Sequence, residues 1–327
     1  MDNNILISVV IPVKDGAPWL HECLQAIMNQ TLIDQTEIIV IDSGSTDGTL
    51  DILKNYNAKV HSINPKDFNH GLTRNYAVQF CKGEYIVMTV QDARATDNKW
   101  LQNLMDGFAV ADNVAGVCGQ QVVPHDKDNN PVSWHRPYSE PSMEIYHFNS
   151  TEEFDRLSPL QKKNCCGWDD VTAMYRKTVL EQIPFQKITY GEDAVWAQEA
   201  LRAGYSIVYN NAAKVYHYHN EDWNFSFKRA FTTMYLRYKQ FKYIYPKPRK
   251  TLKEHLSIIK TVWKSHPFKL KENLYWISYN NQQYKAAKEA YSVFMNALAK
   301  GDDELDAAHK KYCGIPPSPL KKTYSVA

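Results

Sequence analysis

Seven side chains able to do chemistry stand where short apolar runs of this 327-residue chain give out. Asp42 closes EIIVID, Asp92 follows EYIVMTV in the turn QDARATD, and Glu192-Asp193 precedes AVWAQEALRAGY. His217 and His219 fall in VYHYH, and the two-residue period of a strand points both to one face. Arg74 lies in HGLTRN, in the first turns of a helical pattern. Ionised carboxylates accept N–H bonds, hold hard cations or take protons. Imidazoles bind softer divalent ions, and a guanidinium offers a planar fork to an oxyanion.

These groups need a frame, and the apolar pattern supplies one. ISVVIPV before Lys14, EIIVIDSGS (37–45), AKVHSI (58–63), EYIVMTV (84–90) and VAGVCGQQVV (114–123) read as buried strands. Helical patterns separate them: WLHECLQAIMNQ, TDGTLDILKNY, HGLTRNYAVQFCKG and NKWLQNLMDGFAVA. Near-continuous β-branched runs alternating with helices predict an α/β fold, a mostly parallel central sheet with helices on both faces. Ligands of such sheets bind outside the carboxyl ends of the strands. That rule selects Pro12–Asp15, Asp42–Ser45, Asn64–His70 and Gln91–Ala93, all rich in Asp, Asn, His or Lys. Their recurrence at one end of the sheet points to a polar ligand.

Residues 120–165 carry five prolines and no clear periodicity, the pattern of a functional loop. From about 225 the composition turns to Lys, Tyr and Phe, and Trp223–Lys253 holds nine Lys or Arg with no Asp or Glu. Residues 1–225 are therefore expected as one domain and 226–327 as a basic, aromatic-rich helical C-terminal extension. A basic aromatic helix suits an anionic membrane surface, so 223–253 is the expected docking stretch. No nucleic-acid module accompanies it.

The six cysteines form no CxxC pair and read as buried thiols of a reducing compartment. The N-terminal run lacks a basic flank and is too short for a signal peptide or a span. A cytoplasmic protein is expected, peripheral at most on the inner face of the cytoplasmic membrane. No GxGxxG follows the first strand, and neither GxxxxGK[ST] nor GxSxG occurs. Dinucleotide binding of the usual type, a P-loop and an α/β-hydrolase are disfavoured.

IPVKDGAPWLHECLQAIMNQT followed by EIIVIDSGSTDGTLDIL resembles the opening of family 2 glycosyltransferases, which have the GT-A (nucleotide-diphospho-sugar transferase) fold. HGLTRNYAVQFCKGEYI, VQDA, GEDAVWAQEALRAGY and AAKVYHYH continue the match in the family's order to about residue 225. FNHGLTRN with QDA is most similar to the rhamnosyltransferase-like branch.

The resemblance implies roles. Pro12, Val13 and Asp15 would border the base and ribose, Asp42 and Ser43 would meet the base, Gln91 the diphosphate or ribose, and Arg74 the diphosphate. Asp92 matches the second acid of the family's D-x-D motif, but Val90 stands at the first acid, giving V-Q-D. One carboxylate still suits Mg²⁺ or Mn²⁺, because diphosphate oxygens and waters complete the shell. His217 or His219 would join it. Asp193 matches the catalytic base, sharing a helix face with Trp196, Ala197 and Ala200. Apart from the resemblance, Trp168, Asp169 and Asp170 stand before the strand-like VTAMY as candidates to face the acceptor, and Trp134, His135 and Tyr138 in the Pro-rich loop as candidates to stack on sugars. The implied reaction is inverting transfer, with rhamnose from dTDP-L-rhamnose as the lead donor and a saccharide or polyprenol-linked acceptor for a surface polysaccharide such as lipopolysaccharide. Alternatives are a UDP-hexose transferase, a nucleotidyltransferase, and a degenerate sugar-nucleotide-binding protein, the last motivated by Val90. The sequence does not fix the oligomeric state.

Overall fold

A computed structural model describes residues 5–125, 130–132, 136, 138–219 and 221–314. The contacts divide the chain into two units. The first takes 5–122 and 138–217; the second takes 123–137 and 218–314. The boundary thus falls eight residues before the expected 225, and the Pro-rich stretch from 123 joins the second unit.

The first unit runs β1 (Ile7–Val13), α1 (Ala17–Met28), β2 (Thr36–Asp42), α2 (Thr49–Leu53), β3 (Ala58–Ser62), α3 (His70–Val78), β4 (Tyr85–Met88), β5 (Arg94–Ala95), α4 (Trp100–Asp106), β6 (Val114–Val122), β7 (Met143–Tyr146), α5 (Thr151–Asp155), α6 (Pro159–Cys165), β8 (Ala173–Arg176), α7 (Lys177–Gln182), α8 (Glu192–Arg202) and β9 (Ser206–Tyr216). The sheet order is β3-β2-β1-β4-β8-β6-β9-β5, with β7 also on β9. β3, β2, β1 and β4 are parallel neighbours, as are β6 and β9. β8 enters antiparallel between β4 and β6, and β5 and β7 pair antiparallel with β9. Strand order reverses at β1: the chain leaves it for β2 on one side and returns to β4 on the other. The carboxyl ends of β1, β2 and β4 frame the crevice where such sheets take ligands. Val9, Ile11, Val40 and Val87 pack with Leu20, Leu24 and Trp100 from the helices, so apolar burial fixes these strand ends.

In the second unit, α9 (Trp223–Phe241), α10 (Leu252–Ser265), α11 (Leu270–Leu298) and α12 (Asp302–Cys313) follow one another. Asp222 caps α9 by accepting from Phe225 N at 2.7 Å, and Thr251 with Glu254 forms a capping box on α10. Phe227, Phe231 and Met234 of α9 meet Ala286, Ala290 and Phe294 of α11 in a second core. The aromatic side of α9 is therefore occupied within this unit. Among the described residues no helix is long and apolar enough to cross a membrane. All six cysteines are buried and none forms a disulfide.

Candidate active site

The DSGSTDGT segment after β2 folds by local hydrogen bonds. The buried Asp42 carboxylate accepts from Gly44 N at 3.0 Å and Ser45 N at 3.1 Å, an Asx turn that needs the left-handed φ of +86° at Gly44. Ser43 donates from N and Oγ to Val13 O, both at 3.0 Å, tying the ends of β1 and β2. Asp15, at φ +46°, accepts from Thr46 N at 2.8 Å. Gln91 grips the Lys14 backbone twice: Oε1 accepts from its N–H at 2.8 Å and Nε2 donates to its carbonyl at 3.0 Å. Pro12 is half-buried in β1. The expected nucleotide-binding residues other than Arg74 thus cluster at one mouth of the sheet, and much of their polarity shapes the mouth itself.

Helix α3 explains FNHGLTRN. Asn69 caps it, accepting from Leu72 N at 3.1 Å, and donates from Nδ2 to Ile188 O at 2.8 Å. Asn75 exchanges hydrogen bonds with the Phe185 backbone at 2.8 and 3.0 Å. A Cβ on Gly71 would stand 2.5 Å from Gln186 O, so only glycine allows this approach. The segment leading into α8 is therefore fastened to α3.

Arg74 sits where these elements meet, 4% exposed. Its Nη1 donates to Glu192 Oε1 at 2.5 Å, and its Nε lies 3.1 Å from Asp170 Oδ2. The guanidinium expected at the diphosphate thus meets two buried carboxylates in this structure. Burial acts to lower the Arg74 pKa, but Asp170, Glu192 and Asp193 outweigh it and push the pKa up. Asp170 is pushed up to about 7 by burial, with the Glu192 and Asp169 charges adding and Arg74 and the Tyr175 hydroxyl opposing. Tyr175 donates its hydroxyl to Asp170 and accepts from Trp168 Nε1 at 2.7 Å. Trp168 and Asp170 are both buried, so neither presents its side chain to an acceptor. Trp134 and His135 lie outside the described residues; Tyr138 is exposed, its hydroxyl on Tyr216.

Asp92 and His217 face each other, Oδ1 to Nε2, at 3.5 Å. Behind His217 stands Gln121, whose Oε1 is 2.8 Å from Nδ1 and whose Nε2 donates to the Asp169 carboxylate. An ionised carboxylate accepts only, so Gln121 turns its NH₂ to Asp169 and its carbonyl to the imidazole. Nδ1 then donates to Gln121, and Nε2 faces Asp92. An imidazole nitrogen and a carboxylate oxygen so placed can act together as ligands of a cation. Two ligand bonds of about 2.1 Å span such a gap, so the pair fits a divalent ion. Val90 packs against the core rather than joining this pair. His219 is exposed and belongs to the second unit's later stretch of the chain, which begins at Tyr218.

Asp193, half-buried in the first turn of α8, has its Oδ2 3.4 Å from Asp170 N. Asp169 and Asp170 are consecutive, so one peptide link joins the Asp92–His217 pair, through Gln121, to Asp193. Sequence reasoning missed Gln121 and Tyr175. The strand-end rule applied to the fifth strand would have found Gln121, which lies at the carboxyl end of β6 in register with Val215 of β9.

A model of Glycosyl transferase family 2 matches residues 8–184. The O-antigen chain rhamnosyltransferase RfbN of Salmonella typhimurium is 34% identical over 232 residues, 69% of this chain and 71% of that protein. WbaN of Salmonella anatum, also an O-antigen chain rhamnosyltransferase, is 32% identical over 235 residues, 69% of this chain and 70% of its own. Among solved structures, S. aureus TarS 1–349 in complex with UDP-GlcNAc superposes with a TM-score of 0.53 at 16% identity, covering 94% of this chain and 80% of that one. The mannosyltransferase PcManGT from Pyrobaculum calidifontis, in complex with GDP-Man and Mn²⁺, gives 0.53 at 16%, covering 94% and 86%. At such identities the two structures share the fold.

Proposed function

The chain belongs to glycosyltransferase family 2 and has the GT-A fold, and on that premise we propose that it is an inverting transferase moving a sugar from a nucleoside-diphosphate donor to an acceptor hydroxyl. Rhamnose from dTDP-L-rhamnose is the lead donor, supported by the names of the two Salmonella relatives. A saccharide or polyprenol-linked chain is the acceptor. The carrying observation is the link that joins Asp92–His217, through Gln121 and Asp169, to Asp193.

In this reading Asp193 takes the proton of the acceptor hydroxyl as that oxygen attacks the anomeric carbon from the face opposite the diphosphate. The bond to the diphosphate oxygen breaks, its electron pair leaves with the diphosphate, and the configuration inverts. Asp92 and His217, joined by His219, would hold Mn²⁺ or Mg²⁺, which when bound neutralises charge on the leaving group. Asp42, with carboxylate lone pairs beyond those of the Asx turn, accepts from the imide N–H of thymine or uracil, and Pro12, Val13, Ser43 and Asp15 shape the pocket for base and ribose. Gln91 holds the mouth by clamping Lys14. Arg74 acts through Glu192 and Asp170 as a positioning residue for Asp193, and Asp169 through Gln121 for His217.

A thermal-shift screen of nucleotide-sugars with and without Mn²⁺, followed by turnover of whichever donor raises the melting point, tests this reading. A dTDP- or UDP-sugar that stabilises only the metal-loaded protein and is consumed with acceptor is the expected result. Donor binding without any turnover across acceptors would favour the degenerate binding protein instead.

A further inference from the structure

Helix α10 has two apolar faces. One is buried: Val262 packs with Trp276 of α11 and with Val132. The other is open. Leu252, Leu256 and Trp263 recur at i, i+4 and i+11, and Leu252 is 74% exposed. α11 opens with exposed Leu270 and Leu274. Between the helices Phe268 is 101% exposed. A helix at the surface of a folded unit needs one apolar stripe to hold it; a second, followed by the exposed ring of Phe268, asks for another partner.

The corner that presents Phe268 is built rather than frayed. His266 N donates to Val262 O at 3.0 Å, Lys269 N to His266 O at 3.3 Å, and the side chain of buried Asn273 to His266 O at 3.1 Å. Phe268 has φ +66°, a backbone region that side-chain-bearing residues avoid, so the surrounding bonds hold a strained residue outward. Charge surrounds the stripe: from Lys247 to Lys271 there are eight Lys or Arg and one acid, Glu254. Lys253, Lys260, Lys264, Lys269 and Lys271 are all exposed.

We propose that the α10–α11 corner docks on an anionic lipid bilayer, with Phe268, Trp263 and the leucines entering the headgroup boundary and the lysines meeting lipid phosphates. A nucleic acid would match the charge but leave the leucines and Phe268 in water. A second copy in two-fold contact would set this patch against itself, lysine against lysine. Only a surface that is anionic outside and apolar beneath satisfies both features. The proposal rests on the second unit alone and is independent of the transferase reading.

Co-flotation of the full chain with vesicles of phosphatidylcholine plus phosphatidylglycerol, against phosphatidylcholine alone, tests it. Binding to the anionic vesicles should exceed that to the neutral ones by at least about tenfold and fall in high salt. The double variant Trp263→Gln/Phe268→Gln and the double variant Lys264→Gln/Lys269→Gln should each lose about tenfold or more of the bound fraction, with unchanged melting points and unchanged size on gel filtration. The idea fails if the wild-type chain stays with the lipid-free fraction, if neutral vesicles bind it equally, or if both variants float as well as wild type. It also fails if the wild type is a dimer that Trp263→Gln/Phe268→Gln dissolves, or if it retains RNA but not vesicles.

Discussion

In the first unit charge lies inside: Arg74, Asp170 and Glu192 are 4%, 2% and 5% exposed and in contact. In the second unit grease lies outside, on the free face of α10 and at Phe268. Both depart from the ordinary sorting of residues, and both cost free energy in the isolated fold. They differ in what offsets the cost. The buried charges offset one another within the unit, so they make geometry rigid around Asp193. The exposed apolar residues are left uncovered by the described residues of the unit, so their compensation is expected from outside. Buried charge thus marks a site made by folding, and exposed apolar surface one completed by association.

The sharpest attack on the first half of this contrast is Asp193→Asn. Donor turnover with acceptor should fall about 10²–10⁴-fold while the melting point holds, as for the loss of a general base. Retained turnover would leave the buried network with no base to position. Next is Arg74→Met, which leaves Glu192 and Asp170 buried without their guanidinium. Urea unfolding should show a loss of about 3–5 kcal/mol, and a loss below about 1 kcal/mol would mean that water already compensates those charges. Gln121→Leu tests the arm to His217. Mn²⁺ affinity, read by electron paramagnetic resonance of the free ion in the presence of nucleoside diphosphate, should weaken about 10–100-fold, and unchanged affinity would show that His217 needs no orienting partner. The smallest effect belongs to the second unit: Leu256→Ser should change unfolding free energy by no more than about 0.5 kcal/mol. A clear loss there would place Leu256 in the packing of this unit and blunt the contrast.

Much of this arrangement was legible before any coordinates. The β-branched runs became β1, β2 and β4, and three of the four polar strand ends chosen from the pattern became the mouth lined by Asp15, Asp42 and Gln91. Asp193 opened a helix as its place before AVWAQEALRAGY implied. These are local matters: side-chain period, turn chemistry and capping act within a few residues, so spacing alone reports them. From sequence the resemblance points Arg74 at a diphosphate, and nothing in HGLTRN announces buried carboxylate partners. Its partners are Asp170, 96 positions away, and Glu192, 118 positions away, and spacing does not show such pairs.

The sequence by itself therefore determined the kind of sheet, the end at which a polar ligand would sit and the carboxylates offered there. Only the tertiary structure decided that Arg74 turns inward, that Gln121 orients His217, that 123–137 belongs with the helices, and which apolar face of α10 is left open. Those outcomes depend on which distant groups chain closure brings within reach, and a buried charge or a second apolar stripe takes its meaning from the neighbour it finds or lacks.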